Sequence, residues 1–185
     1  PTPEEAAHDF LRRVIPPLPA HGQVAAFNRS HYEAVLAERL LKDAPAAKRF
    51  WQARYRTINA IEKHWHDSGT RIIKIWLHQS EAEQKERLLK RLDEPRKRWK
   101  FDPSDLDTFA QRGPYLDAMA DMVEATSSAE APWHLIPADN KAHARAAVAG
   151  ILLRQLHELA PEYPDSDPAL DARYRAMLAA KAEQA

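Results

Sequence analysis

Gln23-Val24-Ala25-Ala26-Phe27-Asn28-Arg29-Ser30-His31-Tyr32-Glu33 is the stretch on which the fold turns. Small and apolar residues lead into a polar cluster and then into a helix-like pattern. A buried parallel strand that delivers side chains from its carboxyl end to a crevice reads this way. The spacing therefore predicts a strand over Val24–Phe27, with Asn28 and Arg29 at its end and Ser30 capping the next helix. An arginine there offers a planar fork of donors that suits phosphate oxygens. The plain alternative is a turn-forming Asn28 followed by a surface arginine.

Working outward, Thr2-Pro3-Glu4-Glu5 has the look of a capped helix start with proline at the first position, and a helix is expected to run to about Val14. Pro16, Pro17, Pro19 and Gly22 break it. A long helix is expected over Lys48 to His66, with Phe50, Tyr55, Ile58, Ile61 and Trp65 on its apolar side and Ser68-Gly69 ending it. Thr70–His78 is the strongest strand candidate, and its nearly continuous apolar run suits a parallel strand covered on both faces. Ser80 opens a charged helix that ends near Pro95. Pro103-Ser104-Asp105 begins another that reaches about Ala125, where Gly113-Pro114 should kink or interrupt it. Trp133–Pro137 reads as a short strand, Asn140–Leu159 as an amphipathic helix, and Ala169–Lys181 as a last helix beyond a proline-marked tail. Strands alternating with helices give the fold class: α/β, with a mainly parallel sheet.

The 185 residues carry 27 basic and 27 acidic side chains, so anion binding must come from local clustering rather than net charge. The clearest cluster lies around Arg91-Leu92-Asp93-Glu94-Pro95-Arg96-Lys97-Arg98-Trp99-Lys100-Phe101. Arg87 and Arg91 are four apart and share a helix face that leads toward Lys97, Arg98 and Lys100. A solvated charged helix is the competing reading. There is no cysteine, no HExxH motif and no apolar run of bilayer length. Only four glycines occur, Gly22, Gly69, Gly113 and Gly150, and none sits in a GxxxxGK[ST] frame.

With these residues laid out, the chain resembles the polyphosphate kinase type 2 family, in its branch that phosphorylates AMP as well as ADP. The matching pieces are Pro1–Glu5 with His8–Leu11, Phe27–Glu33, Ile58–Glu62 and Lys74–His78. They continue through Glu83-Gln84, Arg87, Arg91–Pro95, Lys97–Phe101, Ala131–Trp133 and Ile136–Asp139, in order, from Pro1 to about Pro164. Asn28 stands where other branches carry aspartate. The pattern after the basic segment is altered, reading Gln111-Arg112-Gly113-Pro114-Tyr115.

The resemblance implies a P-loop kinase-like three-layer sandwich with a helical lid. Residues 1–164 would form a partial domain of this kind, with a lid over about 87–103, and residues 165–185 a C-terminal tail or helix. The family's first strand and Walker A loop precede the position of Pro1, so the reading is of an N-terminally truncated piece that is inactive alone. The implied activity of the complete enzyme is phosphoryl transfer between inorganic polyphosphate and AMP or ADP with Mg2+, whose principal ligand is expected in the missing part. Carried over residue by residue, Asn28, Arg29, Tyr32 and Glu33 would bind the nucleotide. Arg87, Arg91, Lys97, Arg98 and Lys100 would bind polyphosphate. Arg29, Arg87, Arg91, Lys97 and Lys100 would act in catalysis. No metal ligand is assigned within the chain. Expected partners are polyphosphate, adenine nucleotides and further copies of the chain in a cytoplasmic homo-oligomer; nucleic acid is disfavoured and no membrane is expected. The rival readings are a non-catalytic nucleotide- or polyphosphate-binding subunit and a small RNA-binding module.

Overall fold

The computed structural model describes residues 2–182. Residues 1–149 and 150–185 form two compact units. The first contains a parallel two-stranded sheet, β1 (Lys74–His78) beside β2 (Trp133–Pro137), in which Lys74 faces Trp133, Trp76 faces Leu135 and His78 faces Pro137. The α/β class with parallel pairing is therefore present, and β2 has the boundaries its sequence suggests.

Helix α2 (Lys48–Asp67) is the backbone of the core. Trp51, Tyr55, Ile58 and Glu62 are its buried residues, and their spacing makes one stripe along the helix. That stripe packs with Tyr32, Val35 and Leu36 and with Ala118 and Met122 of α5 (Arg112–Thr126). Trp76 and Trp133, one from each strand, lie against the same cluster. Phe50, expected on the apolar side, is exposed. Arg39 straps these parts together, donating to Tyr55 Oη and to Asp121 Oδ2, both at 2.9 Å. At the end of α2, Gly69 takes φ +92°, the left-handed conformation that closes helices without a Cβ penalty.

Helix α3 (Glu81–Asp93) starts where Ser80 Oγ accepts from Glu83 N at 3.1 Å. It is followed by a 3₁₀ turn over Pro95–Lys100 and by α4 (Ser104–Ala110). Helix α6 spans Lys141–Leu159, with Asn140 Oδ1 accepting from Ala142 N and His143 N. Helix α7 covers Pro168–Ala182.

Four expectations need correction. Val24–Phe27 is not a strand: the sheet of the described residues pairs only β1 with β2, and Val24 is 90% exposed. A strand exists by virtue of its ladder partners, which local composition does not supply. The helix expected to reach Val14 stops after α1 (Pro3–Ala6), and a 3₁₀ turn over Phe10–Arg13 comes next. Asp9 Oδ1 accepts from Leu11 N at 2.9 Å, a side-chain bond that restarts the chain rather than extending α1. β1 is shorter than Thr70–His78 and is not covered on both faces, since Leu77 is 54% exposed. The helix expected from Pro103 to Ala125 is interrupted as its Gly-Pro pair suggests, but the break falls at Gln111, ahead of Gly113-Pro114, and gives α4 and α5. Pro114 thereby falls in the first turn of α5, where a missing N–H leaves no bond unmade.

Candidate anion-binding cleft

Two adjoining clefts open at the carboxyl end of β1, where parallel α/β sheets expose their binding crevices. One, of about 190 Å3, is lined by Arg87, Leu88 and Arg91 of α3 and by Asp105 and Thr108 of α4. The other, of about 130 Å3, is lined by His78 of β1 and by Arg112, Tyr115 and Leu116 of α5. Gln79, Gln84 and Thr108 line both, so the two form one continuous surface.

The arginines are held by different partners. Arg87 Nε meets Glu83 Oε1 at 2.5 Å, and its Nη2 donates to Ala138 O at 2.9 Å, tying α3 to the end of β2. Arg91 Nη1 lies 2.9 Å from Asp105 Oδ2, tying α3 to α4. Arg112 donates to Gln84 Oε1 at 2.7 Å and to Gln79 O. Asp139 supports the same end of the sheet: it accepts from Ser80 N at 2.8 Å, and this bond first, then the Ser80 hydroxyl and the Arg87 charge, hold its carboxyl below the ordinary range.

Asn28 and Arg29 occupy an exposed bend rather than a strand end. Arg29 has φ +70°, a conformation that costs a side-chain-bearing residue about 1 kcal/mol. Its side chain is 80% exposed, and Nη1 stands 4.0 Å from Glu33 Oε2. Tyr115 lines the smaller cleft. Burial raises its hydroxyl pKa first, the Glu33 charge raises it further, and the Arg29 charge works the other way. Arg29 and Glu33 thus lie within electrostatic reach of a cleft-lining residue.

The bend is anchored by the residues on its carboxyl side. Ser30 Oγ accepts from Tyr32 N at 3.4 Å and opens a 3₁₀ turn over His31–Ala34. His31 and Tyr32 are buried. Tyr32 Oη donates to Glu62 Oε1 at 2.7 Å and accepts from Lys74 Nζ at 2.9 Å, and His31 Nε2 lies 3.2 Å from the same carboxylate oxygen. Burial, and then the charge of Glu62, push the Tyr32 phenol far above its ordinary pKa. Tyr32 is therefore a core residue whose hydroxyl is engaged inside the protein. The family resemblance assigns it to the nucleotide; here its hydroxyl is taken up by Glu62 and Lys74.

Of the remaining expected residues, the structure brings Arg87 and Arg91 into one cleft, while Arg29 and Glu33 line neither. Lys97, Arg98 and Lys100 lie on the 3₁₀ turn after α3, outside the lining of either cleft. Lys97 Nζ pairs with Glu94 Oε2 at 2.7 Å, and Lys100 Nζ sits 5.2 Å from the ring of Trp99. Trp99 itself is 78% exposed. Arg112 is a cleft residue that the sequence does not single out, although it lies within the altered Gln111–Tyr115 pattern. Among the described residues no three His, Asp or Glu side chains are grouped to hold a metal ion, and the one cleft carboxylate, Asp105, is paired with Arg91. This donor set suits an anion and not a hard cation. No described helix is long and apolar enough to cross a membrane.

The family model described as Polyphosphate kinase 2 matches residues 1–164. The chain is 40% identical to an ADP-polyphosphate phosphotransferase of Rhodopseudomonas palustris and 41% identical to an AMP/ADP-polyphosphate phosphotransferase of Meiothermus ruber. Each match covers 91% of this chain and 62% of the relative. The crystal structure of Polyphosphate Kinase 2 from Arthrobacter aurescens TC1 superposes with a TM-score of 0.90 at 41% identity, over 96% of this chain and 62% of that one. The chain thus spans a little under two thirds of the length of these relatives. Cleft, fold and similarity converge: the chain belongs to the polyphosphate kinase 2 family.

Proposed function

We propose that the whole protein moves a phosphoryl group between inorganic polyphosphate and AMP or ADP. The observation that carries this reading is the cleft at the end of β1, where guanidinium groups from α3 and α5 converge in a member of this family. In the forward step an oxygen of the nucleotide's terminal phosphate attacks the terminal phosphorus of polyphosphate. A new P–O bond forms as the bridging P–O bond breaks, and polyphosphate leaves one unit shorter. Such a transfer needs positioning and charge neutralisation more than covalent chemistry.

In this proposal Arg87 and Arg91 bind the polyphosphate chain, and Asn28, Arg29 and Glu33 orient the nucleotide beside Tyr115. Lys97, Arg98 and Lys100, on an exposed turn next to the cleft helix, act as a lid that closes once the polyanion arrives. Mg2+ would neutralise the phosphates. The described residues do not group a donor set for a resident cation at the cleft, so no step runs through one of their side chains to the metal. The cytoplasm, where adenine nucleotides are made and used, is the compartment this chemistry calls for, and the working form is an oligomer of the chain. The test is to incubate the full-length protein with AMP or ADP, polyphosphate and Mg2+ and to separate the nucleotides by chromatography. Formation of the next higher phosphate, dependent on polyphosphate, is expected. Binding of both substrates without turnover would replace the proposal with a non-catalytic binding role.

A further inference from the structure

Arg87 and Arg91 each reach the cleft with a carboxylate already beside them, Glu83 and Asp105. Arg112 differs. Its two hydrogen bonds go to uncharged acceptors, the Gln84 side chain and the Gln79 main-chain carbonyl. Its acceptors lie on α3 and on the segment after β1, so the guanidinium is fixed across three elements, and among the described residues no carboxylate forms an ion pair with it. It lines the cleft that also holds Tyr115, one turn along α5, and this cleft shares Gln79, Gln84 and Thr108 with the Arg87–Arg91 cleft. A held cation with no acid of its own, at the junction of two open clefts, is preorganised for an anion, because little side-chain freedom remains to be lost on binding.

We infer that Arg112 is a substrate-contact residue that binds a phosphate of the polyphosphate chain at the junction between the two clefts. The inference rests on the proposed function and assigns a ligand to Arg112, the α5 guanidinium at the cleft that the proposal leaves without a substrate of its own. A merely structural Arg112 would brace β1, α3 and α5, and its loss would lower stability without favouring one substrate over the other.

Calorimetric titration of the full-length protein with tripolyphosphate and, separately, with AMP distinguishes these cases, using Arg112→Gln, Arg112→Lys and Arg87→Gln with a melting curve for each. A charge-assisted bond lost to Arg112→Gln should weaken tripolyphosphate about tenfold or more while AMP changes less than about twofold. Arg112→Lys, which keeps the charge but not the fork, should recover part of that loss. If Arg112→Gln binds tripolyphosphate like wild type while Arg87→Gln does not, the inference falls and the proposed function stands. If AMP weakens as much as tripolyphosphate, the assignment to polyphosphate is wrong. If all ligands weaken in step with the melting temperature, Arg112 is a brace. If wild type binds no tripolyphosphate, both the inference and the proposed function fail.

Discussion

Lys74 Nζ lies 2.7 Å from Glu62 Oε2, and both side chains are buried where β1 meets α2. Lys74 also donates to Tyr32 Oη at 2.9 Å and to Thr126 O at 2.6 Å, so all three ammonium hydrogens have acceptors. Glu62 accepts in turn from Tyr32, and His31 lies within hydrogen-bonding distance. The network thus ties α2, β1 and the end of α5 to the residues immediately after the Asn28-Arg29 bend. It is the means by which the core fixes the nucleotide side of the proposed site.

Breaking one half of this pair should unfold the protein far more readily than removing both. Lys74→Met leaves a buried carboxylate without its cation and should cost about 3–5 kcal/mol, whereas Glu62→Leu with Lys74→Met should recover much of that loss. Urea denaturation of the two variants measures the difference. Additive losses would show that the two charges do not act as a unit.

The same carboxylate sets an acid limb. Burial favours the protonated form of Glu62, but hydrogen bonds involving His31, Lys74 and Tyr32, with the Lys74 charge, hold its pKa below the ordinary value of 4.5. A depressed folded pKa means that the unfolded chain binds the proton more tightly. The contribution to stability is therefore present above the ordinary glutamate range and is lost as pH falls below it toward the folded value. Wild type should lose stability on acidification in that window, and Glu62→Gln should show a flatter slope there. Denaturation midpoints over a pH series check this, and equal slopes would contradict it.

Arg29 separates stability from activity. Its φ of +70° suits glycine better than arginine, so Arg29→Gly should leave the melting temperature unchanged or raise it. Losing the guanidinium should lower kcat/KM at least about tenfold, or about 1.4 kcal/mol. Thermal melts and steady-state kinetics on the full-length protein decide. Unchanged kinetics would return Arg29 to the status of an exposed turn residue.

Lys97→Ala and Lys100→Ala test the lid. Both side chains sit on the exposed turn beyond α3, Lys97 against Glu94 and Lys100 near the ring of Trp99. Each should raise the KM for polyphosphate and flatten its dependence on salt, because phosphate contacts made by cations release counterions. The KM for nucleotide should change less. Wild-type constants at two salt concentrations would make this turn a solvated face.

Much of this arrangement is legible in the residues. The presence of α2, a strand ending at His78, the Ser80 cap and the four-residue spacing of Arg87 and Arg91 rest on local periodicity, and the structure keeps them, although the strand starts at Lys74 rather than Thr70 and the buried face of α2 shares only Tyr55 and Ile58 with the expected one, adding Trp51 and Glu62. Val24–Phe27 shows where periodicity fails, since an apolar run becomes a strand only beside a partner elsewhere in the chain. The Glu62–Lys74 pair escapes local reading for a related reason, because it joins a helix to a strand. Its signals are nonetheless there: Glu62 sits four residues after Ile58 on the buried stripe, and Lys74 heads the apolar run of β1. Two opposite charges on two buried faces are natural partners, because a buried charge is costly unless paired. Arg112 lies in a stretch marked only by its Gly-Pro break, and the cleft beside it depends on where α4 ends.

In the proposed function, the cleft at the end of β1 handles phosphate during transfer between polyphosphate and a nucleotide. That role is tested most directly with 32P-labelled polyphosphate and unlabelled ADP, tracking label in the nucleotide for wild type and for Arg87→Gln with Arg91→Gln, both full length. The account requires label to pass to the nucleotide in wild type and its rate to fall by at least about 10²-fold in the double variant, about 2.7 kcal/mol, with the melting temperature largely kept. Absence of transfer in wild type, or equal rates in the two proteins, would contradict it.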